Sequence, residues 1–165
     1  MSTLVLTYFD LHGRAEPTRL ALWIAGLNFE DKRLSREEFR AIKPDFPFGT
    51  VPVLEIDGTK YAQSTALLRY AGKLGGLYPE DALTALKATS APVIFWGDHL
   101  IHNLYISRGF TQRFACVSAP EQKELQAALA RGKIKTVLEG LAAKLAANPS
   151  SDYFVGNSLT IADLQ

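Results

Sequence analysis

Strand-forming segments crowd into the first 62 residues of this chain and then stop. Leu4-Val5-Leu6 marks a buried strand over Thr3 to Tyr8. Leu20, Trp23, Ile24 and Leu27 then follow the i, i+3, i+4, i+7 spacing of an amphipathic helix. Pro17 suits its first turn, where a missing N–H costs nothing, and Gly26 marks its end. Phe29 to Leu34 reads as a second strand. Ser35-Arg36-Glu37-Glu38 has capping-box form, with serine answered three residues later by glutamate, and opens a short helix. Val51 to Ile56 is a third strand, entered through Pro52. Asp57-Gly58 is a two-residue hairpin signal, and Thr59 to Ala62 returns as the partner strand. Ser64 is expected to cap a further helix carrying Leu67, Leu68, Ala71 and Leu74. The order β-α-β-α-β-β-α demands a sheet covered by helices.

Gly75-Gly76-Leu77-Tyr78-Pro79 breaks the pattern, and everything beyond it reads as helix. The expected division is a domain over 1–76, a linker over 77–82 and an all-helical domain over 83–165. Residues 81–115 are predicted helical, with Leu83 and Leu86 early, Phe95, Leu100, Ile101 and Leu104 later, and a kink or restart at Pro92. Ser118-Ala119-Pro120-Glu121 is a second capping box. It opens a helix with Leu125, Leu129, Val137, Leu138, Leu141 and Leu145 on related faces, closed by Asn148-Pro149. In Gly156 to Leu164, Thr160 is predicted to cap a helix while Asp163 caps back, with Leu159 and Leu164 as a hydrophobic staple. A helix start so well specified should introduce a full helix. The chain stops at Gln165, so a C-terminal segment is expected to be missing.

Charge narrows the partners. Eighteen Lys and Arg against 17 Asp and Glu argue against nucleic acid or an anionic membrane as the main partner. The single cysteine, Cys116, excludes an intramolecular disulfide, a Cys-x-x-Cys metal site and a dithiol redox cycle. It reads as a small half-buried hydrophobe. The apolar stretch at the N-terminus is too short for a signal peptide, and no run approaches the roughly 20 residues of a membrane span. A reduced, cytoplasmic protein is expected.

Chemistry is suggested in one place: Tyr8-Phe9-Asp10-Leu11-His12-Gly13-Arg14-Ala15-Glu16. Here a strand ends in a phenol beside a glycine-marked turn, a basic residue and the start of a helix. An anionic or ionisable ligand at such a junction would meet helix amides and a hydroxyl donor together.

That stretch, the Pro47-Phe48-Gly49-Thr50-Val51-Pro52-Val53-Leu54-Glu55-Ile56-Asp57-Gly58 run, Gln63-Ser64 and the Gly156-to-Asp163 segment lie in the order and spacing of one family. Together they resemble the cytosolic glutathione transferases, the sigma class most closely, over nearly the whole chain. The resemblance implies an α/β thioredoxin-like N-terminal domain followed by an all-α C-terminal domain, incomplete here. It implies glutathione as co-substrate, a hydrophobic electrophile as second substrate and a homodimer. It makes Tyr8 the catalytic hydroxyl donor to the thiolate, with Arg14 as electrostatic helper. A free thiol has a pKa near 8.5, and lowering it by about 2 units needs roughly 2.7 kcal/mol of preferential thiolate stabilisation. A charge-assisted hydrogen bond supplies much of that.

By the same resemblance Pro52 follows a cis peptide, so that the backbone of Val51 pairs with the cysteinyl part of glutathione. A proline in mid-sheet needs such a reason, because it cannot donate to the ladder. Gln63 and Ser64, with helix amides, would hold the γ-glutamyl carboxylate. Lys43 would reach the glycyl carboxylate. Phe39 stands where the sigma pattern has tryptophan, and Thr50 where lysine or glutamine is common. Both departures predict weaker anchoring of the glycyl end. Asp98 would reach the γ-glutamyl amine of glutathione bound to the other subunit. Phe9, Leu11, Leu100 and Tyr105 are candidates for the electrophile pocket, expected between the domains.

His99 and His102 share a helical face, but no third ligand accompanies them, and no metal is expected. Three other functions use parts of the same pattern. A glutathione-dependent prostaglandin isomerase would employ the same thiolate. A crystallin-like or ligand-carrying homologue would need none of the chemistry. A thiol-disulfide reductase would need a cysteine near residues 8–15, where there is none.

Overall fold

The computed structural model describes residues 3–90, 135–149 and 152–164. The chain divides into two compact units between Glu80 and Asp81. The first is built on a four-stranded sheet of order β2-β1-β3-β4. Its strands are β1 (Leu4–Phe9), β2 (Glu30–Leu34), β3 (Val53–Ile56) and β4 (Thr59–Ala62). β1 and β2 are parallel, joined through helix α1 (Glu16–Ile24), while the β1–β3 and β3–β4 pairs are antiparallel. Helix α2 (Arg36–Ile42) follows β2, and α3 (Ser64–Leu74) follows β4. This is the thioredoxin-like arrangement, as expected.

Side chains alternate across a strand, so Leu4, Leu6 and Tyr8 share one face of β1 and Val5, Thr7 and Phe9 the other. Tyr8 meets α1 through Arg19, and Phe9 meets α2 through Phe39. Helices therefore cover opposite faces of the sheet. Leu6, Leu22, Leu54, Leu67 and Leu68 are fully buried, and Leu34, Phe46 and Val53 form the cluster on the α2 side.

Several local expectations hold. Ile56 pairs with Thr59 across Asp57 and Gly58, both at positive φ, the two-residue turn that Asp-Gly favours. The Ser35–Glu38 box forms in both directions: Glu38 N–H donates to Ser35 Oγ at 3.1 Å, and Ser35 N–H to Glu38 Oε2 at 2.7 Å. Those bonds hold the Glu38 carboxyl below its usual range.

Three expectations do not hold. The Leu20-Trp23-Ile24 stripe of α1 faces outward, with Trp23 76 % exposed, while the buried face carries Thr18, Arg19, Ala21 and Leu22. Close helix packing explains this: a Cβ on Gly75, just past α3, would lie 2.9 Å from the Cβ of Ala25, just past α1. Small residues must line the contact. Leu74 is likewise exposed, and Gly72 is buried in α3 instead. Ser64 is the first residue of α3 and not its cap; Gln63 is the cap and makes no side-chain cap bond.

In the second unit the described residues are helical or irregular. Helix α4 (Ala82–Ser90) is started by Asp81, whose carboxylate accepts from Thr84 N–H at 2.8 Å and from Thr84 Oγ1 at 2.7 Å. Leu83 and Leu86 point to solvent, and Ala85, Ala88 and Thr89 are the buried residues. Helix α5 (Lys135–Ala147) ends at Asn148 and Pro149, as expected, with Leu138 exposed. The stretches around Pro92 and Ser118 lie outside the described residues.

Helix α6 (Ile161–Leu164) has the expected reciprocal start. Thr160 N–H donates to Asp163 Oδ2 at 2.8 Å, and Ala162 N–H to Thr160 Oγ1 at 3.2 Å. The structure adds that Phe154 N–H donates to Asp163 Oδ1 at 2.9 Å, so one carboxylate ties the preceding loop to the helix. Asp163→Ala strands these donors together and is expected to lower stability by about 2 kcal/mol. Chemical denaturation reads this directly, and an unchanged midpoint would show that the box contributes nothing.

Candidate active site

Register decides which residues meet. Thr7 pairs with Val53, and Val53 with Ala62. One step beyond each stand Tyr8, Pro52 and Gln63. Neighbouring strands are about 4.8 Å apart, so these three arrive together at one end of the sheet. The sequence holds them up to 55 positions apart.

Tyr8 is 8 % exposed. Its hydroxyl oxygen accepts a hydrogen bond from the Arg14 backbone N–H at 3.3 Å. That leaves the O–H to donate elsewhere, and an oxygen that accepts one bond is polarised towards donating another. Gly13 makes the fit possible. At φ +46, a Cβ there would lie 2.8 Å from Tyr8 Oη, 2.9 Å from Tyr8 Cε1 and 2.5 Å from Leu11 Cδ1. Arg14 is half-buried in the 3-10 turn Gly13–Ala15, and its Nε is buried with no hydrogen-bond partner. Leu11 is 48 % exposed beside this turn.

Beneath lies an ion network. Arg19 Nε donates to Asp31 Oδ1 at 2.9 Å, and Nη1 to Glu16 Oε2 at 2.9 Å and to the carbonyls of Leu11 and His12 at 3.0 and 3.2 Å. Arg33 bridges Asp31 and Asp10, and His12 Nδ1 lies 3.1 Å from Glu16 Oε1. Burial acts to raise the Glu16 carboxyl, but the bonds from Arg19 and His12 outweigh it and hold the group below its ordinary range.

Phe9 stands edge-on to Phe39 at 5.2 Å, and Phe39 stacks on Phe46 at 6.2 Å. Phe39 and Val51 both pack against the Leu34-Phe46-Val53 cluster. The Val51-Pro52 peptide is cis. Both ladders of β3 begin at Val53, so the N–H and C=O of Val51 stand outside them. The Lys43 side chain crosses Gly49, with Cε 3.1 Å from where a Cβ would sit, next to the exposed Thr50. Gln63 holds φ 78 and ψ 101 at the head of α3, a conformation few non-glycine residues adopt without a local reason. Asp98, Leu100 and Tyr105, with His99 and His102, lie outside the described residues.

Sequence reasoning read Gly13 only as a turn marker and did not single out Arg19. The signal for Arg19 was available: it lies three residues from Glu16 and directly before the apolar run Leu20 to Ile24 of the same helix. Phe48, 80 % exposed at φ 59, was also passed over as part of a motif. Among the described residues no helix is long and apolar enough to cross a membrane.

Comparison with known proteins gives family matches in both halves of the chain. A family model for the glutathione S-transferase N-terminal domain matches residues 4–73, and one for the glutathione S-transferase C-terminal domain matches residues 104–165. The chain is similar to Glutathione S-transferase 3 of Caenorhabditis elegans, 36 % identical over 162 residues that cover 96 % of this chain and 74 % of that protein. It is also similar to Hematopoietic prostaglandin D synthase of Gallus gallus, 49 % identical over 72 residues, 44 % of this chain and 36 % of the relative. The solved glutathione S-transferase from Ascaris lumbricoides superimposes with a TM-score of 0.80 at 35 % identity, over 98 % of this chain and 76 % of that one.

Proposed function

Since this chain belongs to the glutathione S-transferase family, enzymes that take glutathione as co-substrate, we propose that it activates the thiol through Tyr8 and conjugates it to hydrophobic electrophiles. The Tyr8 O–H donates to the sulfur, the thiol proton leaves to solvent, and the thiolate attacks an electrophilic carbon. The new C–S bond forms as a leaving group departs or a double bond takes up a proton. The observation that carries this reading is the buried Tyr8 hydroxyl, which accepts from Arg14 N–H at 3.3 Å and keeps its own proton for donation. The Arg14 guanidinium supplies positive charge near the sulfur.

In this reading the Val51 backbone pairs with the cysteinyl part of glutathione, and Gln63 and Ser64 at the head of α3 hold the γ-glutamyl carboxylate. Lys43, Thr50 and Phe39 face the glycyl end. Phe9 and Leu11 contribute to the electrophile site. The similarity to a prostaglandin D synthase over 72 residues favours one second reading, a glutathione-dependent prostaglandin isomerase using the same thiolate. Adding glutathione near neutral pH and recording thiolate absorption tests the shared step. A band is expected. Binding without a band would leave a ligand carrier as the better reading.

We further infer a cytoplasmic homodimer. Phe48, held outward at φ 59 and 80 % exposed, supports a covered face. Phe48→Ser is expected to raise the dimer dissociation constant about 10-fold or more, the effect of losing one buried aromatic anchor. Sedimentation velocity over a dilution series measures it. A parent that remains monomeric at every concentration would remove the dimer reading.

A further inference from the structure

Arg19 is 6 % exposed, and its planar guanidinium is spent on structure around one loop. Nη1 binds the carbonyls of Leu11 and His12, which lead into the Gly13 turn, and the Glu16 carboxylate, while Nε binds Asp31. Nη2 is buried with no hydrogen-bond partner. The Cζ atom lies over the Tyr8 ring, 5.9 Å from its centroid. A guanidinium at that range is attracted by the electron-rich face of a phenol, more strongly where water is excluded. It also draws electron density from the ring, which makes the O–H a better donor.

We propose that Arg19 is a positioning residue for Tyr8: it braces the Leu11–His12 backbone that carries the Gly13 turn and, from over the phenol ring, strengthens the hydroxyl as a donor to the thiolate. This rests on the thiol-activating role assigned to Tyr8 above. The titratable groups about the guanidinium are Glu16 on α1 and Asp31 on β2, which it binds, with His12 against Glu16 and Arg33 bridging Asp31 to Asp10. Glu16 and Asp31 offset the Arg19 charge directly; Asp31 is shared with the Arg33 guanidinium, and Glu16 also contacts the His12 imidazole. The field at the ring is therefore a balance that single substitutions tip in opposite directions.

The test is a double-mutant cycle on the pKa of protein-bound glutathione, read from thiolate absorption against pH. Arg19→Met should raise that pKa by about half a unit in the parent and leave it unmoved in a Tyr8→Phe background. Arg19→Lys, which keeps the charge but loses the fork that binds Leu11, His12, Glu16 and Asp31, should fall between the parent and Arg19→Met. Glu16→Gln leaves the guanidinium in place and removes an offsetting carboxylate. It should lower the pKa in the parent and again do nothing in Tyr8→Phe. Damage to the loop cannot produce shifts of opposite sign, and the Glu16→Gln cycle decides the matter if Arg19→Met does not fold. Equal shifts in both backgrounds, or none in the parent, would overturn the proposal while leaving the role of Tyr8 intact. A parent with no thiolate band would remove that role and the proposal with it.

Discussion

Tyr8→Phe is expected to lower conjugation at neutral pH about 25-fold while glutathione still binds. A shift of about 2 units in the thiol pKa, from about 6.5 back to about 8.5, corresponds to roughly 2.7 kcal/mol and lowers the thiolate fraction at pH 7 from about three-quarters to about 3 %. Phenylalanine keeps the ring over Arg19 and beside Phe9. It loses only the hydroxyl and leaves the Arg14 N–H without its acceptor, about 1 kcal/mol of stability. The sign with pH follows: the thiol ionises unaided only as pH rises, so the ascending limb of the rate profile should move up by about 2 units and activity should recover in alkali. KM for glutathione should change little, because Val51, Gln63, Ser64 and Lys43 are the proposed anchors. Steady-state rates across pH measure both effects. A profile that coincides with the parent would mean that another group activates the thiol.

Gly13→Ala is expected to cost nearly as much without touching a functional group. The added Cβ falls 2.8 Å from Tyr8 Oη and 2.9 Å from Cε1, nearer than side-chain carbons come to other atoms. Leu11 can withdraw, since the clash there is with the end of an exposed side chain. The phenol has nowhere to go: it is buried, 5.5 Å from Phe9, with Arg19 over its face. Either the ring shifts or the turn opens, and alanine at φ +46 adds about 1 kcal/mol of backbone strain. A displacement approaching 1 Å at a reacting group lowers rates by about 10- to 100-fold. The loss should fall on kcat, and in a Tyr8→Phe background the same substitution should cost activity little more. Full activity in Gly13→Ala would show that the turn yields and that Gly13 is a turn residue only.

The Tyr8–Arg14 junction was legible because a strand, a phenol and a glycine turn are consecutive in the chain. The Asp57-Gly58 hairpin and the Ser35–Glu38 and Thr160–Asp163 caps were legible for the same reason: each is a bond pattern closed within a few residues. The orientation of α1 was not. Spacing reveals that Leu20, Trp23 and Ile24 form a stripe, but which stripe faces inward depends on how near the next helix comes. Near Ala25 and Gly75 it comes too near for large side chains. Ser64 misled for a related reason. Its identity suits a cap, but the positive φ of Gln63 moves the helix boundary by one residue, and no local pattern announces that.

The sequence by itself determined the order of strands and helices in the first unit, the turn and cap chemistry, and the family resemblance, because all of these rest on local periodicity or short motifs. The tertiary structure alone decided that Tyr8, Val51-Pro52 and Gln63 share one end of the sheet, that Gly13 must lack a side chain and that Arg19 lies over the phenol. Those facts depend on strand register and close packing between segments distant in the chain, and neither leaves a local signature that spacing can report.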